Sequence, residues 1–332
     1  MMAMHNLLVT GGAGFIGSTF VSQCIERGCN VVVLDALTYA GHRENVDKRA
    51  IFVKGDIADR PLVSKLLREH KIEAVINFAA ESHVDNSIAG PKPFIDTNVT
   101  GTFQLLEAAR EYADGKKKIR FVQISTDEVY GSLGPTGKFS EASPVKPNSP
   151  YSASKAAGDH LARAWHETYG LPVIVTHCTN NYGPRQHPEK LIPNMIRCAL
   201  AGEPLPVYGD GKNVRDWIHV EDHCHGVWLA LTNGKPGETY DFGGDAESEN
   251  IALVKTICTL LDKKRPKAAS YAKQITFVTD RLGHDRRYAI DDSKSQRELG
   301  FKRKYKLQQG LEATVEWYLA NEKWCEMMRK AA

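Results

Sequence analysis

Gly11-Gly12-Ala13-Gly14-Phe15-Ile16-Gly17 joins an apolar run, Asn6 to Thr10, to an amphipathic stretch that ends near Gly28. Gly11, Gly14 and Gly17 are spaced as G-x-x-G-x-x-G at a strand-to-helix junction. Missing Cβ atoms let the chain turn tightly, let backbone N–H groups approach a pyrophosphate, and let the helix pack closely on the strand. Gly11, Gly14, Phe15, Ile16 and Gly17 are therefore candidate dinucleotide contacts. A second apolar run, Asn30 to Leu34, closes in Asp35. A carboxylate there accepts hydrogen bonds from both hydroxyls of an adenosine ribose and repels a 2′-phosphate, which predicts NAD as the cofactor. Asp56 has two readings, as a partner for the adenine amino group or as a simple turn carboxylate.

Outward from this motif the alternation continues through Ile51 to Val53, Ala74 to Phe78, Ile119 to Ile124 and Val173 to His177. Alternating strands and helices of this length predict an α/β fold, a Rossmann-type doubly wound parallel sheet with helices on both faces. After about Asn180 the rhythm breaks, with Pro184, Pro188, Pro193, Pro204 and Pro206 in short order. The expected division is an NAD-binding domain over 1–178 and a smaller α/β substrate lobe over 179–332, with about 213–240 crossing back. Helices are expected at Glu221 to Thr232, Ile251 to Leu261 and Leu307 to Trp324, the last carrying Trp317 and Trp324 as packing residues.

The chain has 332 residues, 42% hydrophobic and 25% charged, with a formal net charge of +3. So slight a positive excess argues against a nucleic-acid partner while suiting an anionic small substrate. Lys116-Lys117-Lys118 reads as a solvated loop. Seven cysteines without a CxxC pair predict reduced thiols rather than a disulfide framework. With neither a leader pattern nor an apolar run of membrane-spanning length, the expected location is the cytoplasm. His219 and His223 flank Glu221 and Asp222 without a convincing third ligand, so no metal is expected, and Asp222 is read as helping to start the next helix.

Chemistry is concentrated in Ser125-Thr126-Asp127-Glu128, with Tyr130-Gly131 behind it, at the end of a buried-strand pattern. Two adjacent carboxylates supply an acid and a base for one substrate if their surroundings separate their pKa values, which points to elimination of water as well as hydride transfer. The competing reading is that Thr126 and Asp127 cap the next turn. Tyr151-Ser152-Ala153-Ser154-Lys155 follows Pro150 at a helix start and sets Tyr151 and Lys155 on one face. A phenol is scarcely ionised at neutral pH, so Lys155 and a positive nicotinamide ring are the expected sources of phenolate stabilisation. Tyr151 is then a base for a sugar hydroxyl as hydride leaves the same carbon.

These motifs resemble the extended short-chain dehydrogenase/reductases. Within them, Ala79-Ala80-Glu81-Ser82-His83-Val84-Asp85, the segment Ser125 to Gly131, Asn180 to Pro184, Pro188 to Pro193, Gly209 to Trp217 and Gly283 to Tyr288 are similar to the dTDP-glucose 4,6-dehydratases. The resemblance implies that Thr126 bonds the sugar 4-hydroxyl, Asp127 protonates the departing 6-hydroxyl and Glu128 removes the C5 proton. It implies that Tyr151 is the base for C4 oxidation, with Lys155 as its partner, and that Ile57, Ala79, Ala80, Ser125 and Cys178 line the cofactor. Ser82, Asn180, Glu189, Lys190, Leu191 and Pro206 are implied substrate contacts, as are Arg215, Asn250, Arg281 and His284. Arg forks and a Lys suit a diphosphate. Tyr208 reads either as a face for a base or as a core tyrosine. Asn86 and His177 stand where arginine is expected. A homodimer is implied by two helical segments, near Pro93 to Tyr112 and Tyr151 to Tyr169.

The implied reaction turns dTDP-glucose into its 4-keto-6-deoxy product with NAD recycled in place. A hexose C5–H is inert until C4 is a ketone, so oxidation precedes elimination. The alternatives are the same dehydration of UDP-glucose, a nucleotide-sugar 4-epimerase, or a non-catalytic NAD-binding protein. An epimerase has no use for the paired carboxylates, and a non-catalytic protein has no use for Tyr151 and Lys155.

Overall fold

The computed structural model describes residues 4–114 and 119–331; Lys116 to Lys118 lie outside them. Twelve strands are present among the described residues: β1 Asn6–Thr10, β2 Asn30–Asp35, β3 Ile51–Lys54, β4 Ala74–Asn77, β5 Arg120–Ile124, β6 Val173–Cys178, β7 Asn180–Tyr182, β8 Leu205–Tyr208, β9 Val214–His219, β10 Thr239–Phe242, β11 Glu247–Glu249 and β12 Ile275–Val278. Seven form one sheet in the order β10-β6-β5-β4-β1-β2-β3, and every pairing in it is parallel. This is the doubly wound sheet that the alternation predicts.

Successive residues of the central strand serve opposite faces. Leu7 and Val9 pack with Phe20, Val21, Val227 and Leu231 on one side, whereas Leu8 packs with Leu66, Leu105 and Leu106 on the other. A strand covered on both faces must be apolar throughout, which is why these strands read as runs rather than alternations. Each fully buried Leu or Val contributes about 1.5–3 kcal/mol. One polar row crosses this core: Thr10 Oγ1 donates to Asn77 Oδ1 at 2.6 Å, and Asn77 Nδ2 donates to Gln123 Oε1 at 2.9 Å. It ties together the ends of β1, β4 and β5, from which the cleft residues project.

The remaining strands form a three-stranded sheet, β11-β9-β7, and the pair β12-β8. They pack with helices Leu191–Ala201, Asn250–Lys264 and Leu307–Ala320 around a separate apolar cluster that contains Tyr182, Trp217 and Val315. β10 completes the large sheet from late in the chain, and helix Val220–Asn233 packs beside helix Phe15–Glu26. The expected single helix through Trp324 is interrupted: one helix ends at Ala320, Asn321 turns its amide onto Trp317 O, and a second runs Glu322–Ala331. Trp317 and Trp324 still meet edge to face in the same cluster.

The run predicted as one helix near Pro93 to Tyr112 contains a π-helical segment, Ile95–Gly101, before helix Thr102–Ala113. Such segments place side chains that a regular helix turns elsewhere. Here Asn98 accepts from Glu81 N at 2.9 Å and donates to Glu81 O and Ser154 Oγ, linking the Ala79 to Ser82 loop to helix Pro150–Tyr169. That helix opens with Pro150 and a reciprocal Ser149/Ser152 cap, and it stops at Gly170 with φ +69°.

Candidate active site

The cleft lies where β1 is flanked by β2 on one side and β4 on the other, at the carboxyl ends of the strands. This reversal of strand order is where doubly wound sheets hold their ligands. A Cβ on Gly11, whose φ is +66°, would lie 2.5 Å from Ala79 N, and one on Gly17 would collide with Gly11 O. Helix Phe15–Glu26 begins without a side-chain cap and without an acidic residue in its first turn. Its free N–H groups therefore face the cleft as an anion cradle.

Asp35 accepts from Ala13 N at 2.9 Å and Leu37 N at 2.8 Å. These bonds fix both oxygens while leaving lone pairs for a ribose. Gly11, Gly14, Phe15, Ile16, Gly17, Asp35, Asp56, Ile57, Ala79, Ala80, Ser125 and Cys178 all line this cleft. Asp56 also accepts from Ala58 N at 2.8 Å, so its turn reading holds alongside its cleft position. The glycine cradle, uncapped helix and ribose carboxylate fit a dinucleotide.

The reactive groups meet further along the same cleft, where Thr126, Asp127, Glu128, Tyr151 and Lys155 share its lining with Ser82, Asn180, Glu189, Lys190 and Leu191. Thr126 does cap the following turn, accepting from Glu128 N at 3.3 Å, and also donates to Asp127 Oδ1 at 3.3 Å. Capping and chemistry are compatible because the capped turn sets both residues in the cleft lining. Asp127 is 2% exposed, and its Oδ2 has no hydrogen-bond partner. Burial, and secondly the charge of Glu128, push its pKa up to about 8, so it keeps its proton at neutral pH. Burial also raises Glu128, but Arg215, Lys190 and Arg281 oppose that rise with positive charge. The adjacent carboxyl groups thus occupy different fields, as an acid and a base require.

Tyr151 departs from expectation. Burial first, and then Glu128 and Cys178, drive its phenol well above the ordinary value, against a hydrogen bond with Thr126. Lys155 Nζ donates to Ile124 O at 2.6 Å. Burial lowers the Lys155 pKa, with Asp159 opposing. Sharing a helical face does not by itself bring an ammonium onto a phenol when a strand-end carbonyl lies within reach.

The second group of expected substrate residues gathers above Glu128. Lys190 Nζ donates to Ser82 O at 3.2 Å, and Glu189 lies 3.5 Å from His83 Nε2. Arg281 stacks over Tyr208 at 5.0 Å and pairs with Asp85 at 3.3 Å. His284 meets Tyr208 edge to face and bonds Asp280 at 2.6 Å. Tyr208 is 38% exposed, which removes the core reading for it. Its neighbour Pro206 is in β8, paired with β12. Arg215 is held over Tyr288 and donates to the carbonyls of Asp285 and Arg286, rather than projecting free. Asn180 and Asn250 each retain a buried side-chain oxygen without a partner.

Residues that the sequence reading overlooked complete the wall: Tyr39, Glu81, Thr179, His187 and Trp217. Tyr39 follows Asp35 at a strand's carboxyl end, and Glu81 and Trp217 lie within the quoted segments Ala79 to Asp85 and Gly209 to Trp217, positions that flag them; Thr179 and His187 lie outside the quoted segments. His219 and His223 serve structure. His219 caps helix Val220–Asn233 by accepting from Glu221 N and stacks on Tyr305 at 3.8 Å. Asp222 lies in the first turn of that helix, as expected, and also accepts from Lys304 N and Tyr305 N. A carboxylate holding two distant backbone donors satisfies buried groups that otherwise lack partners. Asn86 lies on the short helix Val84–Ala89 and donates its backbone N–H to His83.

Residues 8–314 match the family model described as GDP-mannose 4,6 dehydratase. The chain belongs to this family. It is 57% identical to the dTDP-glucose 4,6-dehydratase of Xanthomonas campestris pv. campestris (strain B100), over 97% of this chain and 95% of that one. It is 51% identical to dTDP-glucose 4,6-dehydratase 1 of Escherichia coli (strain K12), over 98% and 96%. Among solved structures it is similar to the DesIV dTDP-glucose 4,6-dehydratase of Streptomyces venezuelae, determined with NAD bound, with a TM-score of 0.90, 48% identity and coverage of 97% and 99%.

Proposed function

We propose that this protein is an NAD-dependent dTDP-glucose 4,6-dehydratase, a hydro-lyase that forms dTDP-4-keto-6-deoxyglucose and water. The observation that carries this reading is the pair Asp127 and Glu128 beside Tyr151 in one cleft, one carboxyl group neutral by burial and the other facing cations. The full-length similarity to dTDP-glucose dehydratases supports the nucleotide choice.

When bound, NAD accepts hydride from C4 and returns it to C6. Tyr151 takes the 4-hydroxyl proton while Thr126 holds that oxygen. With C4 a ketone, Glu128 removes the acidified C5 proton. Asp127 delivers its proton to the departing C6 oxygen, and Glu128 returns its proton to C5 as C6 is reduced. Lys190, Arg215, Arg281, Asn180, Asn250 and His284 hold the diphosphate and nucleotide, with Tyr208 offering a face to the base. The test is to assay dTDP-glucose and UDP-glucose side by side for the 4-keto-6-deoxy product. Faster turnover of dTDP-glucose supports the assignment, and galactose formation without loss of oxygen overturns it.

The described helices offer no segment long and apolar enough to cross a membrane, and all seven cysteines are free thiols. Both features support a cytoplasmic setting. Helices Thr102–Ala113 and Pro150–Tyr169 pack together, with Ile95, in the π-helical segment before the first, and Tyr169, at the end of the second, about half exposed. A two-fold contact covering these residues makes a homodimer the expected assembly. Light scattering should give twice the chain mass at micromolar concentration, and a monomeric mass rejects the dimer.

A further inference from the structure

Behind the cofactor-facing wall, side chains from four elements close into one buried polar chain. His177, one residue before the cleft-lining Cys178 on β6, is 5% exposed. Its Nδ1 lies 2.9 Å from Asp241 Oδ1 and 2.9 Å from Tyr130 Oη, and its Nε2 lies 3.3 Å from Asp159 Oδ2. Asp241, on β10, is fully buried and also accepts from Tyr130 Oη at 3.1 Å. Asp159 is one turn beyond Lys155 on helix Pro150–Tyr169, and its Oδ2 accepts from Ser125 Oγ at 2.6 Å. Glu141 accepts from Asp241 N, and Cys178 and Lys155 stand on the cleft side of the cluster.

A neutral imidazole donates from one nitrogen only, so it leaves one of its two carboxylates facing a lone pair. The protonated ring donates to both. Burial works against that charge, but the hydrogen bonds and charges of Asp159 and Asp241 outweigh it and push the His177 pKa up to about 10. With the ring charged, two carboxylates are balanced by His177 and Lys155. Without that charge, Asp159 stands as an excess negative charge beside Lys155 and the wall of the redox site.

We propose that His177 is a positioning residue for C4 oxidation: as an imidazolium clamped between Asp159 and Asp241 it neutralises the carboxylate behind Ser125 and Lys155, and so keeps the field around Tyr151 permissive for losing its proton. The proposal rests on the dehydratase reading above. It makes β6, β10 and the Tyr151 helix one electrostatic unit.

The test follows the pH dependence of single-turnover cofactor reduction by dTDP-glucose in wild type, His177→Asn, His177→Arg and His177→Asn/Asp159→Asn. His177→Asn should move the profile to higher pH by about one unit, the lower end for one uncompensated neighbouring charge. The permanently charged His177→Arg, and the double variant that removes the opposing charge, should both return it towards wild type. In the free protein, nitrogen NMR of labelled histidine should show His177 protonated on both nitrogens at pH 8. A His177→Asn profile that coincides with wild type, or a neutral ring at pH 7, overturns the proposal. Wild type that reduces no NAD with either nucleotide-glucose instead overturns the dehydratase reading. The NMR titration then decides the charge of the cluster by itself.

Discussion

Tyr151→Phe is expected to slow cofactor reduction by dTDP-glucose about 10²- to 10⁴-fold, the range for removing one positioned proton acceptor. The ring sits edge to face against Phe94 at 6.3 Å, a contact that phenylalanine keeps, so the loss should be in chemistry rather than folding. The surroundings sharpen the expectation. Burial and Glu128 oppose phenolate formation in the free protein, so Tyr151 must give up its own proton to solvent once the positively charged cofactor is bound, before it can take the proton of the 4-hydroxyl. A stopped-flow trace at the absorbance of the reduced cofactor reads this step before any dehydration. Near-normal formation of reduced cofactor in Tyr151→Phe would show that another group takes the proton.

Asp127→Asn/Glu128→Gln should have the opposite phenotype, with oxidation retained and elimination lost. Both carboxyl groups act only once C4 is a ketone. Reduced cofactor and 4-keto hexose should therefore accumulate while release of the C6 oxygen falls by at least 10²-fold, about the minimum for losing one acid or base. The wild-type pH profile follows from the same geometry. Asp127 acts in its protonated form, so dehydration should decline as pH rises through about 8, where burial and Glu128 have placed its pKa. The declining limb should be absent from an Asp127→Asn single variant. With wild type and substrate deuterated at C4, the label should finish at C6 of the same molecule; unlabelled C6 or full dehydration by the double variant contradicts this chemistry.

Much of this was legible in the chain because short-range chemistry dictates it. A glycine motif between strand and helix, a carboxylate at the next strand end, and strands apolar on both faces leave few folds open. They led to the parallel sheet and the position of the cleft. The acidic pair at the end of β5 and Tyr151 at a helix start are likewise local statements, since each is set by the element that carries it. What the sequence could not disclose depends on neighbours distant along the chain. Lys155 Nζ bonds Ile124 O, Arg215 gives part of its donors to the carbonyls of Asp285 and Arg286, and Asp222 anchors residues 82 and 83 positions away. The separation of Asp127 from Glu128 was decided the same way, because burial and cations from three separate segments act unequally on two adjacent residues. The sequence by itself determined which groups are present and on which elements. Only the tertiary structure decided their charges and partners, because desolvation and Coulomb fields depend on what is nearby in space rather than along the chain.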